Sequence, residues 1–266
     1  MKSIHSDELT IGLIQPDTLW ENKEDNLNHL TLTLEKLKDE HPVIDLIVMP
    51  EMFTTGFTMN PELFVETMKG ASVEWMCEIA AEMELAICGS IIIEEKKKVY
   101  NRFVFVKPSG EIEYYDKKHL FGLAGEKEHY SAGKTKKTID YKGWKINPFI
   151  CYDLRFPVWC RNTNDADVMI FVANWPDRRI AHWQKLLPAR AIENQCFVVG
   201  VNRVGSDFNK HHYSGQSCAI DPFGNSILEM HDRQGYGIVK LNKKELSDIK
   251  LNIPFWKDSD AFEINN

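Results

Sequence analysis

Nine apolar runs of five to eight residues recur along the whole chain, at 9–15, 46–50, 86–93, 101–107, 144–150, 168–173, 197–202, 217–221 and 237–241. Runs of that length, bounded by turn residues, predict buried strands. Between them stand the stretches 23–38, 73–83, 182–194 and 243–249, which read as helices. In the second of these, Trp75, Met76, Ile79 and Ala80 form one helical stripe that belongs in a core. Strands and helices interleaved in this way predict an α/β fold. No Gly/Ser linker or low-complexity tract divides the 266 residues, and 43% of them are hydrophobic, so one large domain over 1–266 is expected. Pro108-Ser109-Gly110 and Pro222-Phe223-Gly224 punctuate two strand pairs alike, as hairpin turns, and their similarity suggests an internal two-fold arrangement.

Three extended segments end on residues with chemistry. The run 144–150 delivers Cys151 into the polar turn Tyr152-Asp153-Leu154-Arg155-Phe156-Pro157, with a helix expected to begin at or near Pro157. A thiol on a strand-to-helix turn is held rigidly, and nearby backbone N–H groups can face a developing oxyanion. The run 46–50 delivers Glu51, and Tyr114-Tyr115-Asp116 leads into Lys117-Lys118-His119-Leu120. A carboxylate, an ammonium and a thiol suit amide chemistry. The first takes the thiol proton and later activates water; the second lowers the thiol pKa and stabilises a tetrahedral anion. Taken singly, each also reads as a loop acid, a solvated lysine and a core cysteine.

Charge and composition exclude other classes. A formal net charge of −7 disfavours nucleic acid as a partner. The lysine-rich stretches 95–98 and 134–137 are short and read as solvated turns. Residues 1–8 lack the apolar segment of a secretory signal, and no run approaches the roughly 20 apolar residues of a membrane helix, so no membrane partner is expected. The cysteines at 77, 88, 151, 160, 196 and 218 are scattered without a CxxC pair; this argues against zinc and favours a reducing cytoplasm. His211-His212 has no third ligand at metal spacing and reads as a loop position. Neither GxGxxG nor a P-loop is present, and no cofactor or metal is expected.

Together, Pro50-Glu51, Tyr115-Asp116-Lys117-Lys118-His119-Leu120 and Ile150-Cys151-Tyr152-Asp153-Leu154-Arg155-Phe156-Pro157 resemble the three motifs of the nitrilase (carbon–nitrogen hydrolase) superfamily, in that chain order. The resemblance extends from Ile11 to Lys257. It implies a four-layer α-β-β-α sandwich, a homodimer, and Glu51, Lys117 and Cys151 as catalytic residues, with the N–H of Tyr152 at the oxyanion. In an extended chain only one of Lys117 and Lys118 can face the site; the family spacing, with histidine two residues on, selects Lys117. The family also carries a second glutamate between the lysine and cysteine motifs. Counting back from Gly133 favours Glu126 over Glu128, although Ala132 stands where proline is common.

Substrate clues follow the run 168–173. Asn174-Trp175-Pro176-Asp177-Arg178-Arg179 resembles the omega-amidase branch, which hydrolyses the terminal amide of 2-oxoglutaramate and 2-oxosuccinamate. Such substrates carry a carboxylate opposite the amide, suited to an arginine fork. The expected substrate contacts are Tyr152, Arg155, Asn174, Trp175 and Arg178, although Arg155 could equally brace Glu51 or Asp153. Phe53, Phe57, Met59 and Trp175 are candidates for pocket walls. The alternatives are another hydrolase of the superfamily (a deaminated-glutathione amidase, an N-carbamoyl amino acid hydrolase or a nitrilase) or a non-catalytic interaction protein on the same scaffold.

Overall fold

The chain runs through β1 (Glu8–Gln15), α1 (Lys23–Glu40), β2 (Leu46–Val48), α2 (Ala71–Glu82), β3 (Ala86–Glu95), β4 (Lys98–Val106), β5 (Ile112–Asp116) and a one-turn helix α3 (Glu126–His129). It continues with β6 (Ile139–Tyr141), β7 (Trp144–Ile150), α4 (Pro157–Cys160), β8 (Val168–Val172), α5 (Ile180–Asn194) and β9 (Phe197–Val201). Then come β10 (Val204–Ser206), β11 (His212–Ser214), β12 (Cys218–Ile220), β13 (Ser226–Glu229), β14 (Gly235–Asn242) and α6 (Lys243–Asn252). This computed structural model describes residues 6–264. Residues 1–5, on which much of the signal-peptide reading rests, lie outside the described residues.

Two six-stranded sheets result, ordered β14-β1-β2-β3-β4-β5 and β13-β12-β9-β8-β7-β6. Read from β14 and from β6, the pairings follow one sequence: antiparallel, parallel, parallel, antiparallel, antiparallel. The halves are therefore topological copies. The two similar turns fall at matching places, one joining β4 to β5 and the other β12 to β13, with Gly110 and Gly224 at φ 80 and 86.

Side-chain alternation builds the layers. Leu9, Ile11 and Leu13 of β1 share a core cluster with Ile146 of β7 and Ile170 of β8, between the sheets. Ile14 of β1, Ile47 of β2 and Ile87 of β3 pack outward against Leu30, Leu34 and Leu37 of α1 and Val73, Met76 and Ile79 of α2. On the far side, Trp183, Leu187 and Ala191 of α5 cover the second sheet. A Cβ on Gly200 would come within 2.5 Å of Leu187, so glycine permits that close helix–sheet approach. The layer order is α-β-β-α, held by burial that is worth roughly 25 cal/mol per Å² of apolar area.

Local signals explain the helix ends. Asn22 caps α1 by accepting from the Asp25 N–H at 3.3 Å, and Glu24 and Asp25 complement the helix dipole. The helix expected from Pro157 forms but lasts only one turn, and the chain leaves it in an extended conformation at Arg161. The strand expected over 46–50 stops at Val48, and the chain turns directly into Pro50-Glu51.

Candidate active site

Glu51 leaves β2 at the carboxyl edge of the first sheet and is buried there. Its Oε1 accepts from Lys117 Nζ and Asn101 Nδ2, each at 2.8 Å, and its Oε2 accepts from the Asn174 N–H at 2.8 Å. Asn101 is oriented in turn, because Ser90 Oγ donates to its Oδ1 at 2.8 Å. The contacts come from Asn101 within β4, Lys117 just after β5 and Asn174 just after β8, so both sheets fix the carboxylate.

Lys117 follows β5 directly. Its N–H donates to Asn101 O at 3.0 Å, and its carbonyl accepts from the Gly133 N–H at 2.8 Å. A Cβ at Gly133 would sit 2.1 Å from the Asp116 carbonyl, so this packing needs glycine. Nζ also reaches both oxygens of Glu126 at 3.0 Å. Glu126 opens α3, its Oε2 accepting from the Phe121 N–H at 2.5 Å, whereas Glu128 is exposed. Lys118 instead places its ammonium 5.1 Å from the Trp159 ring centroid. Sheet alternation does not explain the difference, since β5 ends at Asp116 and Leu120 is buried as well.

Cys151 sits half-buried at the end of β7 with φ 45, a left-handed conformation costing a non-glycine residue about 1–3 kcal/mol. Buried Asp153 holds the turn in this shape. It accepts from the Ile150 N–H at 3.1 Å, Tyr115 Oη at 2.8 Å and the His119 N–H at 2.9 Å. Arg190 donates to the Leu154 carbonyl at 2.6 Å from α5.

The charges are strongly coupled. Burial pushes the Lys117 ammonium toward neutrality, but Glu126, Glu51 and Cys151 more than offset it, leaving its pKa above the ordinary lysine range. Burial and the charge of Glu51 raise the Glu126 carboxyl despite the opposing pull of Lys117. The Cys151 thiol is also raised, by burial first and then by Glu51; Lys117 pulls it down but does not prevail. This corrects the expectation of a lysine-depressed thiol. A thiol raised in this way favours its protonated form and calls for a neighbouring base wherever it is to react as a thiolate.

A cavity of about 410 Å³ opens over Cys151. Phe57, Phe121, Tyr152 and Trp175 form apolar walls, and among the described residues no acidic one lines it. Phe53 is packed against Trp75 in the outer core, and Met59 packs beside Tyr130, so neither is a wall. Asn174 holds Glu51 in place from the rim, its Nδ2 donating to the Glu51 carbonyl at 2.6 Å. Trp175 is anchored through Nε1 to the Arg179 carbonyl at 2.8 Å.

Three arginines line the cavity, and among the described residues none makes an ion pair. Arg155 braces neither Glu51 nor Asp153: it meets His182 Nδ1 at 2.9 Å and lies 4.8 Å from the Trp175 ring centroid. Arg178 is exposed at the rim. Arg179, which the sequence reading passed over, is half-buried 5.0 Å from the Phe121 ring centroid. Burial and then the charge of Arg178 lower its pKa, so an anion between them would relieve both.

Two further lining residues escaped the sequence. His211 and Tyr213 come from the β10–β11 hairpin, and both bond Asp207. The His211 loop position is therefore also a cavity position. Asp207, His211 and Tyr213 at alternating and four-residue spacing were the available signal, but only the fold brings that hairpin over Cys151.

A thiol, a buried carboxylate within reach of its proton, an ammonium and a cationic cavity can cleave an acyl compound carrying a second, anionic end. Residues 10–250 match the carbon-nitrogen hydrolase family. The omega-amidase YafV of Escherichia coli strain K12 is 42% identical over 257 residues, covering 96% of this chain and 98% of that protein. The 2-oxoglutaramate amidase of Bacillus subtilis is 33% identical over 254 residues, covering 94% and 96%. A crystal structure of a CN-hydrolase superfamily protein from Xanthomonas campestris, with an arsenic adduct in its active site, superposes with a TM-score of 0.93 at 39% identity, covering 97% of this chain and 99% of that one.

Proposed function

The chain belongs to the carbon–nitrogen hydrolase family, on the omega-amidase branch of the nitrilase superfamily, and we propose that it hydrolyses the terminal amide of small 2-oxo omega-amides through a thioester on Cys151. One observation carries the reading: the Glu51–Lys117–Glu126 cluster meets Cys151 at a cavity lined by three arginines without acidic partners. An amide belongs at the thiol and an anion at the guanidinium groups.

As Sγ attacks the amide carbon, Glu51 takes the thiol proton. Two carboxylates and one ammonium give the cluster a charge of about −1, and internal proton transfer avoids adding a second buried negative charge during attack. The oxyanion is met by the Tyr152 N–H and by Lys117. The two Glu126 oxygens, both at 3.0 Å from Nζ, can share one N–H and leave another for it. Glu51 returns the proton to nitrogen, the C–N bond breaks and ammonia leaves. The resulting thioester is hydrolysed by water that Glu51 deprotonates, and the thiol is regenerated.

At the far end Arg155, Arg178 and Arg179 hold the carboxylate, with Trp175 and Phe121 enclosing the short chain. Assembly as a homodimer and residence in the cytoplasm belong to the same proposal. The test is release of the amine product, ammonia from 2-oxoglutaramate, 2-oxosuccinamate, butyramide, N-carbamoyl amino acids and simple nitriles and cysteinylglycine from deaminated glutathione. The two 2-oxo amides should lead, with butyramide slower by roughly thirtyfold or more, the cost of an unpaired buried charge. Preference for nitriles or carbamoyl amino acids would overturn the substrate assignment.

A further inference from the structure

Among the described residues the β10–β11 hairpin joins neither six-stranded sheet, being tied by a single bridge from Val204 to Asp17, yet it contributes two walls of the cavity. Its loop is organised around one buried carboxylate. Asp207 Oδ1 accepts from the His211 N–H at 2.9 Å, and Oδ2 meets His211 Nδ1 at 3.1 Å and accepts from Tyr213 Oη at 2.9 Å. The loop is closed again by the Asp207 N–H donating to the His211 carbonyl at 3.1 Å. Behind it, the buried Arg203 guanidinium lies 4.7 Å from the Tyr213 ring centroid. A solvated loop needs none of this; the bonds fix the imidazole plane. With Nδ1 committed to Asp207, Nε2 is the ring's remaining polar atom in a residue that lines the cavity.

We propose that His211 is a specificity-determining residue that recognises the 2-oxo group of the substrate. The inference rests on the reading of the cavity as an omega-amidase site. The anionic end of a 2-oxo acid carries three oxygens, two on the carboxylate and one on the adjacent ketone. A forked guanidinium covers the carboxylate pair, and the ketone needs a donor of its own. Tyr213 spends its hydroxyl on Asp207, and Asn174 spends one of its two amide N–H groups on Glu51, which leaves the Tyr152 hydroxyl, the second Asn174 N–H and the His211 ring to be weighed as the donor; only the His211 ring is held in plane by a buried carboxylate. A ring carrying both protons donates Nδ1–H to Asp207 and presents Nε2–H to the ketone.

The experiment compares kcat/KM for 2-oxosuccinamate and for succinamate, which has a methylene where the ketone stands. The comparison uses the wild type, His211→Ala, His211→Gln and Tyr152→Phe. The wild type should favour the 2-oxo substrate. His211→Ala should lower that preference about ten- to a hundredfold, the loss of one hydrogen bond to a charged donor. His211→Gln retains an N–H near the same place and should recover part of it, which a purely structural role would not do. Equal losses on both substrates, a wild-type preference near unity, or a preference lost in Tyr152→Phe and kept in His211→Ala would each overturn the inference. If the wild type released ammonia from neither substrate, the omega-amidase reading itself would fall.

Discussion

Lys117→Met removes one charge from the buried cluster while nearly preserving volume. The side chains of Lys117, Glu51 and Glu126 are all 0% exposed, and the ammonium lies within 3.0 Å of both carboxylates. Breaking a buried ion pair costs about 3–5 kcal/mol because the surviving charge is left unpaired. Here two carboxylates lose the same partner, and the less costly response is for the folded variant to bind a proton. Burial and Glu51 already raise the Glu126 carboxyl, and the substitution removes the Lys117 charge that opposes them. A carboxyl with a raised folded pKa keeps in the native state a proton that the unfolded chain releases above its ordinary pKa of about 4.3. Stability then falls as pH rises, by about 1.4 kcal/mol per pH unit for each such proton, until the folded pKa is passed. Urea unfolding between pH 5 and pH 8 checks this. The deficit of Lys117→Met relative to the wild type should widen with pH and reach about 3–5 kcal/mol near neutrality. A deficit that is flat with pH and below about 1 kcal/mol would refute the reasoning, since the carboxylates would then be well hydrated without the lysine.

Cys151→Ala should abolish ammonia release and the acyl adduct seen by intact mass after an acid quench, while Cys160 and Cys196 stay unmodified; an adduct that persisted would move the nucleophile elsewhere. Arg179→Ala should raise KM for 2-oxoglutaramate by roughly thirtyfold or more and leave butyramide hydrolysis nearly unchanged, with a smaller effect from the exposed Arg178→Ala. If Arg155→Ala alone collapses that ratio, the carboxylate lies beside Tyr152 instead. Gly133→Ala forces a Cβ to within 2.1 Å of the Asp116 carbonyl, so the strand end must move. Unfolding should show a loss of about 1–3 kcal/mol, and kcat should fall more than KM changes, because the shift displaces Lys117; an unperturbed kcat would mean that Lys117 does not depend on this packing.

Nine of the twelve strands in the two six-stranded sheets were legible as apolar runs, whereas β5, β6 and β13 were not, since they are short edge strands with polar residues; Glu51, Lys117 and Cys151 stood out because each follows an extended segment. What the sequence withheld was long-range. Arg155 could not be separated from a brace of Asp153 until the Asp153 carboxylate was seen to be occupied by Tyr115, His119 and Ile150. Phe53 has the composition of a pocket wall but packs outward, since the turn after β2 places it under α2. His211 and Asp207 are a short hairpin apart, and nothing local says that this hairpin crosses the cavity. The thiol pKa was misjudged for the same reason: Lys117 acts as expected, but burial and Glu51 oppose it, and both depend on the assembled core.

The matching strand order of the two halves has a mechanical consequence. Glu51 follows β2 and Asn174 follows β8, which occupy equivalent places in their sheets, and the two residues bond each other across the junction at 2.6 and 2.8 Å. Glu51 and Cys151, the base and nucleophile of the proposed reaction, thus stand on opposite sheets, which share no ladder among the described residues. If one sheet slides over the other by about an ångström, Glu51 and Cys151 part before any ladder bond breaks, and a misplacement of that size can cost about a hundredfold in rate. Turnover is therefore a finer gauge of how tightly the sheets are docked than circular dichroism, and under mild denaturant it should fade first.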